Sequence, residues 1–227
     1  YVNLDYVHVH GEYCYGFYSA KIKHLEVSCT EFSSSFAKID KVTLNEGVEK
    51  FINSHGLFSG DSVYIPSTLK TLTTQNSTAP SFQANQGVSF TVSEENPYFK
   101  AVDGVLYSKD MKHIFLCLID TECFEFPEGV SVAQISYEYG AYMVTGVIGG
   151  GVRKVKFPGS IKLSYQIISD NNIVEEIIFG EGITFIPSRT CWNTPKLKKI
   201  TFPTTLTYLD YDNFLGAKID DDIVFSE

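Results

Sequence analysis

The chain has 227 residues, a formal net charge of −9, 44% hydrophobic and 20% charged residues; that is enough for a full core and excludes wholesale disorder. The acidic balance argues against a nucleic-acid binder, whose phosphate contacts need a basic surface, and against docking on anionic lipid. Seventeen Phe and fourteen Tyr against two Met and one Trp favour strands over helices.

The chain opens on Tyr1 rather than Met, as a trimmed or mature form does, and no signal peptide is visible. His8-Val9-His10-Gly11-Glu12 comes first. In an extended strand His8, His10 and Glu12 share one face, which suits a two-histidine, one-carboxylate metal site. Gly11 weakens that strand and the segment lies near a fraying end. Solvated side chains on a cap strand are therefore expected, with no metal assigned. Residues 1–38 match the pattern that follows poorly and are expected to cap its open end.

From residue 39 a repeat emerges. Val42-Thr43-Leu44, Val63-Tyr64-Ile65, Phe124-Glu125-Phe126, Val155-Lys156-Phe157, Ile177-Ile178-Phe179 and Ile200-Thr201-Phe202 share an apolar-x-apolar form. Apolar residues recur four and seven positions after each anchor, as in Val48 and Phe51, Leu69 and Leu72, or Ile183 and Ile186. Of 24 aligned positions 23 are apolar and only Ser164 is not, where composition alone would give roughly 11, so the rows are a true period. Two weaker rows, Phe90-Thr91-Val92 and Ile223-Val224-Phe225, bring the anchor spacings to 21, 27, 34, 31, 22, 23 and 23 residues. A base period near 22 with insertions means a solenoid.

The chemistry of one repeat explains the form. Both apolar residues of apolar-x-apolar point one way and x the other, a short strand with one buried face. Pro66, Pro127, Pro158 and Pro203 follow the anchor directly and end the strand, because proline has no N–H for a continuing ladder. Such a thin unit cannot bury its own face, so stacked copies share a core.

Two insertions interrupt the period. Residues 96–118 carry Val105-Leu106-Tyr107-Ser108 and His113-Ile114-Phe115-Leu116 around a polar turn, the pattern of a β-hairpin. Residues 136–151 are rich in glycine. Their Gly146-Val147-Ile148-Gly149-Gly150-Gly151 run, followed by Arg153 and Lys154, lacks the G-K-[ST] ending of a phosphate loop and reads as an inter-repeat loop. Asn76-Ser77-Thr78 is a glycosylation triplet in a polar loop, and Asp220-Asp221-Asp222 reads as a solvated acidic end. The five cysteines, Cys14, Cys29, Cys117, Cys123 and Cys191, are too few and too irregular for a disulfide framework or a zinc knuckle. They read as buried thiols, with Cys117 and Cys123 pairing only if a hairpin end brings them together.

The rows resemble the BspA-like, or Treponema-type, leucine-rich-repeat family over about residues 39–227. Leu197-Lys198-Lys199-Ile200-Thr201-Phe202-Pro203-Thr204-Thr205-Leu206-Thr207-Tyr208-Leu209, running on to Asn213-Phe214, carries the resemblance best. Val174 to Ile186, with Cys191-Trp192 in the small-aromatic position, is second, and Asn96-Pro97-Tyr98 through Tyr107 resembles a recurrent insertion. The resemblance implies a cell-surface or secreted protein with roles in adhesion and host-protein binding, and no shared catalytic residue.

The resulting expectation is a right-handed leucine-rich-repeat solenoid, β-rich, with short parallel strands and little helix. A cap occupies 1–38 and the solenoid 39–227, with the hairpin near 96–118 and the Gly-rich insertion near 136–151. Function is expected to be non-enzymatic: a monomeric extracellular or cell-surface module binding a protein or glycan partner, with no cofactor, metal, nucleic acid or membrane insertion. The alternative is a structural spacer of a larger surface protein. The x residues and those two positions earlier form the candidate binding strip: Lys41, Thr43, Ser62, Tyr64, Glu125, Lys154, Lys156, Glu176, Ile178, Lys199 and Thr201.

Overall fold

The computed structural model describes residues 2–54, 56–73, 87–132, 148, 151–163, 165, 167–169, 171–219 and 223–225. β1 (Asn3–Gly16) and β2 (Lys21–Ser35) are parallel in one register, Asn3 opposite Lys21 and Gly16 opposite Ser34. The inward residues of β2 show how a coil closes. Ile22, Leu25, Val27, Cys29 and Phe32 are buried, so the period of two slips between 22 and 25 and again between 29 and 32. Each slip turns a corner, since unbroken alternation would keep one flat face. β2 thus spans three sides, A, B and C, and each pairs in parallel with a separate strand of the next coil: β3 (Lys38–Ile39), β4 (Val42–Leu44) and β5 (Lys50–Ser54). Residues 3–35 therefore form coils of the same kind, in parallel register with the strands that follow.

The next coil supplies β6 (Leu57–Phe58) against β3, β7 (Ser62–Ile65) beside β4, and β8 (Thr71–Thr73) against β5. β7 pairs with β9 (Ser89–Val92). β10 (Phe99–Val102), β11 (Val105–Ser108) and β12 (His113–Leu116) then form an antiparallel meander. β13 (Cys123–Glu125) resumes side B, and β14 (Ser131–Val132) pairs in parallel with β12. The meander divides the interior. Leu106, Leu116 and Leu118 join the N-terminal core, while Val105, Tyr107, Ile114 and Cys117 join the C-terminal one. Alternation along β11 thus feeds two cores, which is why this segment is apolar on both faces.

The remaining strands are β15 (Lys154–Phe157), β16 (Ile168–Ser169), β17 (Glu176–Phe179), β18 (Phe185–Ile186), β19 (Cys191–Trp192), β20 (Lys199–Phe202), β21 (Tyr208–Leu209) and β22 (Ile223–Phe225). On side B, β13, β15, β17, β20 and β22 form one parallel sheet; β18 pairs β21 on side C and β16 pairs β19 on side A. The described residues make about nine coils and contain no helix. A repeat solenoid with parallel strands is the observed fold.

The anchors do what the alternation requires. Phe126, Phe157, Phe179 and Phe202 are buried and stack face to face along the axis, with ring centroids 4.8, 5.2 and 5.8 Å apart. Phe32 and Phe51 repeat this in the N-terminal core at 5.2 Å. Offset stacking adds to the area term because each ring meets a neighbour of its own shape. Seven positions after Phe202, Leu209 is 42% exposed.

The turns after the anchors are coupled between coils. Glu181 accepts hydrogen bonds from the backbone N–H and the hydroxyl of Thr204, both at 2.9 Å, while Gly182 N–H donates to Thr205 Oγ1. Glu46 and Gly47 do the same with Ser67 and Thr68. Glu-Gly turns and Ser/Thr turns on neighbouring coils are therefore two halves of one clasp. The stacking leaves no room at Gly159, where a Cβ would lie 1.6 Å from the Glu181 carbonyl oxygen. Gly159→Ala should force the two coils apart and cost about 1–3 kcal/mol in a denaturant melt; an unchanged midpoint would show that the turns do not abut.

Candidate functional site

Side B presents the x residues outward, as the alternation requires. Lys41, Ser62, Tyr64, Glu125 and Lys199 are exposed, and Thr43, Lys154, Lys156, Glu176, Ile178 and Thr201 are half-buried between them. The strip does not form one ladder. It divides into β1–β2–β4, β7–β9 and β13 through β22, because β4 and β7 lie side by side without ladder pairing and the meander separates β9 from β13.

The two ends of the strip differ chemically. In the C-terminal sheet Lys154, Glu176 and Lys199 are register partners, and Glu176 sits between the two ammonium groups at 2.9 and 3.2 Å. Lys156 pairs with Glu125 at 3.4 Å. One position earlier, Glu175 bridges Arg153 at 2.7 Å and Lys198 at 3.4 Å. This surface satisfies its own charges. Burial works against ionisation of Glu176, but the hydrogen bonds from Lys154 and Lys199 outweigh it and hold the carboxyl below its usual range. The Lys198 charge, with the hydrogen bonds from Lys198 and Arg153, does the same for Glu175.

Because both folded values are depressed, the stability these carboxylates contribute is present above the ordinary Glu range, about pH 4.3, and is lost as pH falls through the lowered folded values. Thermal melts between pH 7 and pH 3 should therefore fall less steeply for Glu176→Gln than for the parent chain. Parallel curves would show that the ladder contributes nothing.

The N-terminal end is built from aromatic, imidazole and hydroxyl groups. Tyr6 donates to the Glu26 carboxylate, and Asn45 Nδ2 donates to Glu26 Oε1 at 2.9 Å. His24 Nε2 lies 2.9 Å from Thr43 Oγ1 and His8 Nε2 3.0 Å from Ser28 Oγ. Hydrogen bonding from Tyr6 first, then Asn45, lowers the Glu26 carboxyl. Tyr6 and Tyr64 remain about half exposed, at 55% and 49%. His8, His10, Tyr6, His24 and Glu26 belong to this surface only because residues 3–35 are coils, which the apolar-x-apolar search did not detect.

Other residues singled out in the sequence fall as follows. His8 and His10 share the outer face of β1 with ring centroids 5.8 Å apart, and Gly11 breaks the alternation with φ +118°. Among the described residues no group of three or more His, Cys, Asp or Glu side chains is placed to hold a metal ion. Cys117 is buried while Cys123 is exposed on the outer face of β13, so the hairpin does not bring them together. The triplet at Asn76, most of the Gly-rich run and Asp220 to Asp222 lie outside the described residues. The sequence reading missed a corner cluster. Arg189 donates to Asp212 Oδ2 from Nε and Nη2 at 3.2 and 3.1 Å and to Tyr165 OH at 2.9 Å, its guanidinium near the Tyr165 and Trp192 rings. Only coil stacking brings these residues together.

Stacked three-sided coils with an outward-facing polar sheet define a parallel β-solenoid repeat protein. No family model matches the chain, and no curated protein matches it. Among solved structures it is similar to a leucine-rich cell-surface protein from Faecalibacterium prausnitzii, at 16% identity and a TM-score of 0.47, over 91% of this chain and 69% of that one. It is also similar to the pneumococcal vaccine antigen PcpA, at 14% identity and a TM-score of 0.44, over 91% of this chain and 66% of that one. A leucine-rich-repeat protein from Eubacterium ventriosum matches at 12% identity and a TM-score of 0.35, over 88% of this chain and 84% of that one.

Proposed function

We propose that the chain is a BspA-like, non-enzymatic repeat module, extracellular or on a cell surface, that binds a protein or glycan partner through the N-terminal part of side B. The carrying observation is the contrast within the strip. Its C-terminal sheet is neutralised by its own ion pairs, whereas Tyr6 presents a half-exposed ring against the His24 imidazole and Tyr64 a half-exposed ring opposite Thr91. Aromatic rings with polar rims are the groups that dominate recognition surfaces, and solenoids offer them as extended faces. A pull-down against extracellular-matrix proteins and a glycan array, each with the parent chain and the Tyr6→Ala/Tyr64→Ala double variant, tests this. Retention that drops at least tenfold in the variant is expected. Retention equal in both, or absent from both, would favour the second reading.

That second reading is a spacer of a larger surface protein. The self-satisfied ladder Lys154–Glu176–Lys199 supports it, because charges engaged with each other leave little for a ligand.

A further inference from the structure

The corner between sides C and A carries a polar and aromatic cluster away from the strip of side B. Arg189 lies in the turn from β18 to β19. Tyr165 and Asp212 stand 24 and 23 residues from it, each in a neighbouring coil. Arg189 (φ +53°) and Asp212 (φ +57°) both hold left-handed backbone, which glycine would adopt at less cost. The corner thus accepts a backbone penalty at two positions whose side chains reach each other.

The cluster is fixed by named contacts. Arg189 Nε and Nη2 donate to Asp212 Oδ2 at 3.2 and 3.1 Å, and Nη1 donates to Tyr165 OH at 2.9 Å. The guanidinium carbon lies 6.0 Å from the centre of the Tyr165 ring and 5.9 Å from that of Trp192, within cation–π range. Asn213 Nδ2 donates to the Pro187 and Asp210 carbonyls at 2.8 and 3.1 Å, which ties the turn bearing Arg189 to the turn bearing Asp212. A small ligand would therefore meet groups already in place, and little binding energy is lost in ordering them.

What the cluster leaves open defines the ligand. Both of the Asp212-directed N–H groups reach one carboxylate oxygen, so Oδ1 is left to accept. A guanidinium has five N–H donors, and three are used here. The Arg189 and Asp212 side chains are each 38% exposed, so these groups face solvent. The two charges offset each other: an anion would meet the carboxylate and a cation the guanidinium. A hydroxyl both donates and accepts, and adjacent hydroxyls can engage a carboxylate oxygen and a guanidinium N–H side by side. The exposed parts of Tyr165 and Trp192 supply the apolar flank on which the C–H face of a sugar ring packs.

We propose that this corner binds a neutral saccharide, a pyranose whose adjacent hydroxyls donate to Asp212 Oδ1 and accept from Arg189 while its C–H face rests on Tyr165 and Trp192. The site is separate from the Tyr6 and Tyr64 surface, and neither depends on the other.

Trp192 is the single tryptophan of the chain, so its fluorescence, excited apart from tyrosine, reports this corner alone. The whole chain is titrated with the methyl glycosides of glucose, galactose, mannose and N-acetylglucosamine, each in both anomers. A saturable change with at least one of them is expected. Asp212→Asn and Arg189→Lys, both at half-exposed positions where the fold tolerates change, leave the reporter in place and should each weaken binding about tenfold or more. The Tyr6→Ala/Tyr64→Ala double variant should keep the full response. No saturable response to any glycoside, a response retained in full by either corner variant, or one lost in the double variant would overturn the site. Glucuronate or an uncharged, end-blocked tripeptide binding as tightly as the best glycoside would overturn the ligand class.

Discussion

Asn96→Asp should be among the most destabilising single-atom changes in the molecule. Asn96 is fully buried and uses all of its hydrogen-bonding capacity. Its Nδ2 donates to the Pro66 and Leu69 carbonyls at 2.7 and 3.0 Å, and its Oδ1 accepts from the Tyr98 and Phe99 N–H groups, both at 2.8 Å. The residue thus fastens the entry of the meander to the turn of an earlier coil. Aspartate keeps the acceptor and loses both donors, leaving two carbonyls unpaired and facing a carboxyl oxygen. Each orphaned buried group costs about 1–3 kcal/mol, and burial of charge adds to it, so a total on the order of 3–5 kcal/mol is expected from denaturant melts at pH 7. The carboxyl pays less when protonated, so the deficit should shrink in acid. A deficit below about 1 kcal/mol, or one independent of pH, would show that Asn96 is not the clasp described.

Phe179→Ala carries the second large effect. Phe179 is 1% exposed and lies between Phe157 and Phe202 in the stacked column. Truncation removes a ring with neighbours on both faces, and backbone hydrogen bonds on either side limit collapse into the void. The expected cost is about 3–5 kcal/mol. Because a solenoid couples only nearest neighbours, hydrogen exchange should accelerate in β15, β17 and β20 and stay unchanged in β2 and β5. Uniform acceleration would mean that the two cores unfold as one.

Much of side B was legible because apolar-x-apolar followed by proline leaves few alternatives. Val155-Lys156-Phe157, Ile177-Ile178-Phe179 and Ile200-Thr201-Phe202 lie side by side in one parallel sheet. Side C was legible only as the apolar residue seven positions after each anchor, Phe51, Leu72 or Ile186, and side A was not legible. Ile168-Ser169 and Cys191-Trp192 are two-residue strands, too short for any periodicity to register. The N-terminal coils were missed for the opposite reason. Their strands run unbroken through the corners, so Ile22, Leu25, Cys29 and Phe32 are spaced three, four and three residues apart and obscure a period of two. The binding strip was read from alternation alone, which fixes the face of Lys154, Glu176 and Lys199 but not their engagement with one another. That engagement depends on stacking coils 22 and 23 residues apart, and it moves the proposed contact surface towards Tyr6 and Tyr64. The clasp at Asn96 joins residues 27 and 30 positions apart and leaves no local mark.

The face assignment on side B underlies both the core and the proposed binding surface, and two neighbouring residues test it. Phe202 is buried and Thr201, one position earlier, faces outward. Denaturant melts of Phe202→Ala and Thr201→Ala, run side by side, should give a loss on the order of 3–5 kcal/mol for the first and no more than about 0.5 kcal/mol for the second. Equal destabilisation would contradict the inward and outward assignment, and the binding surface would fall with it.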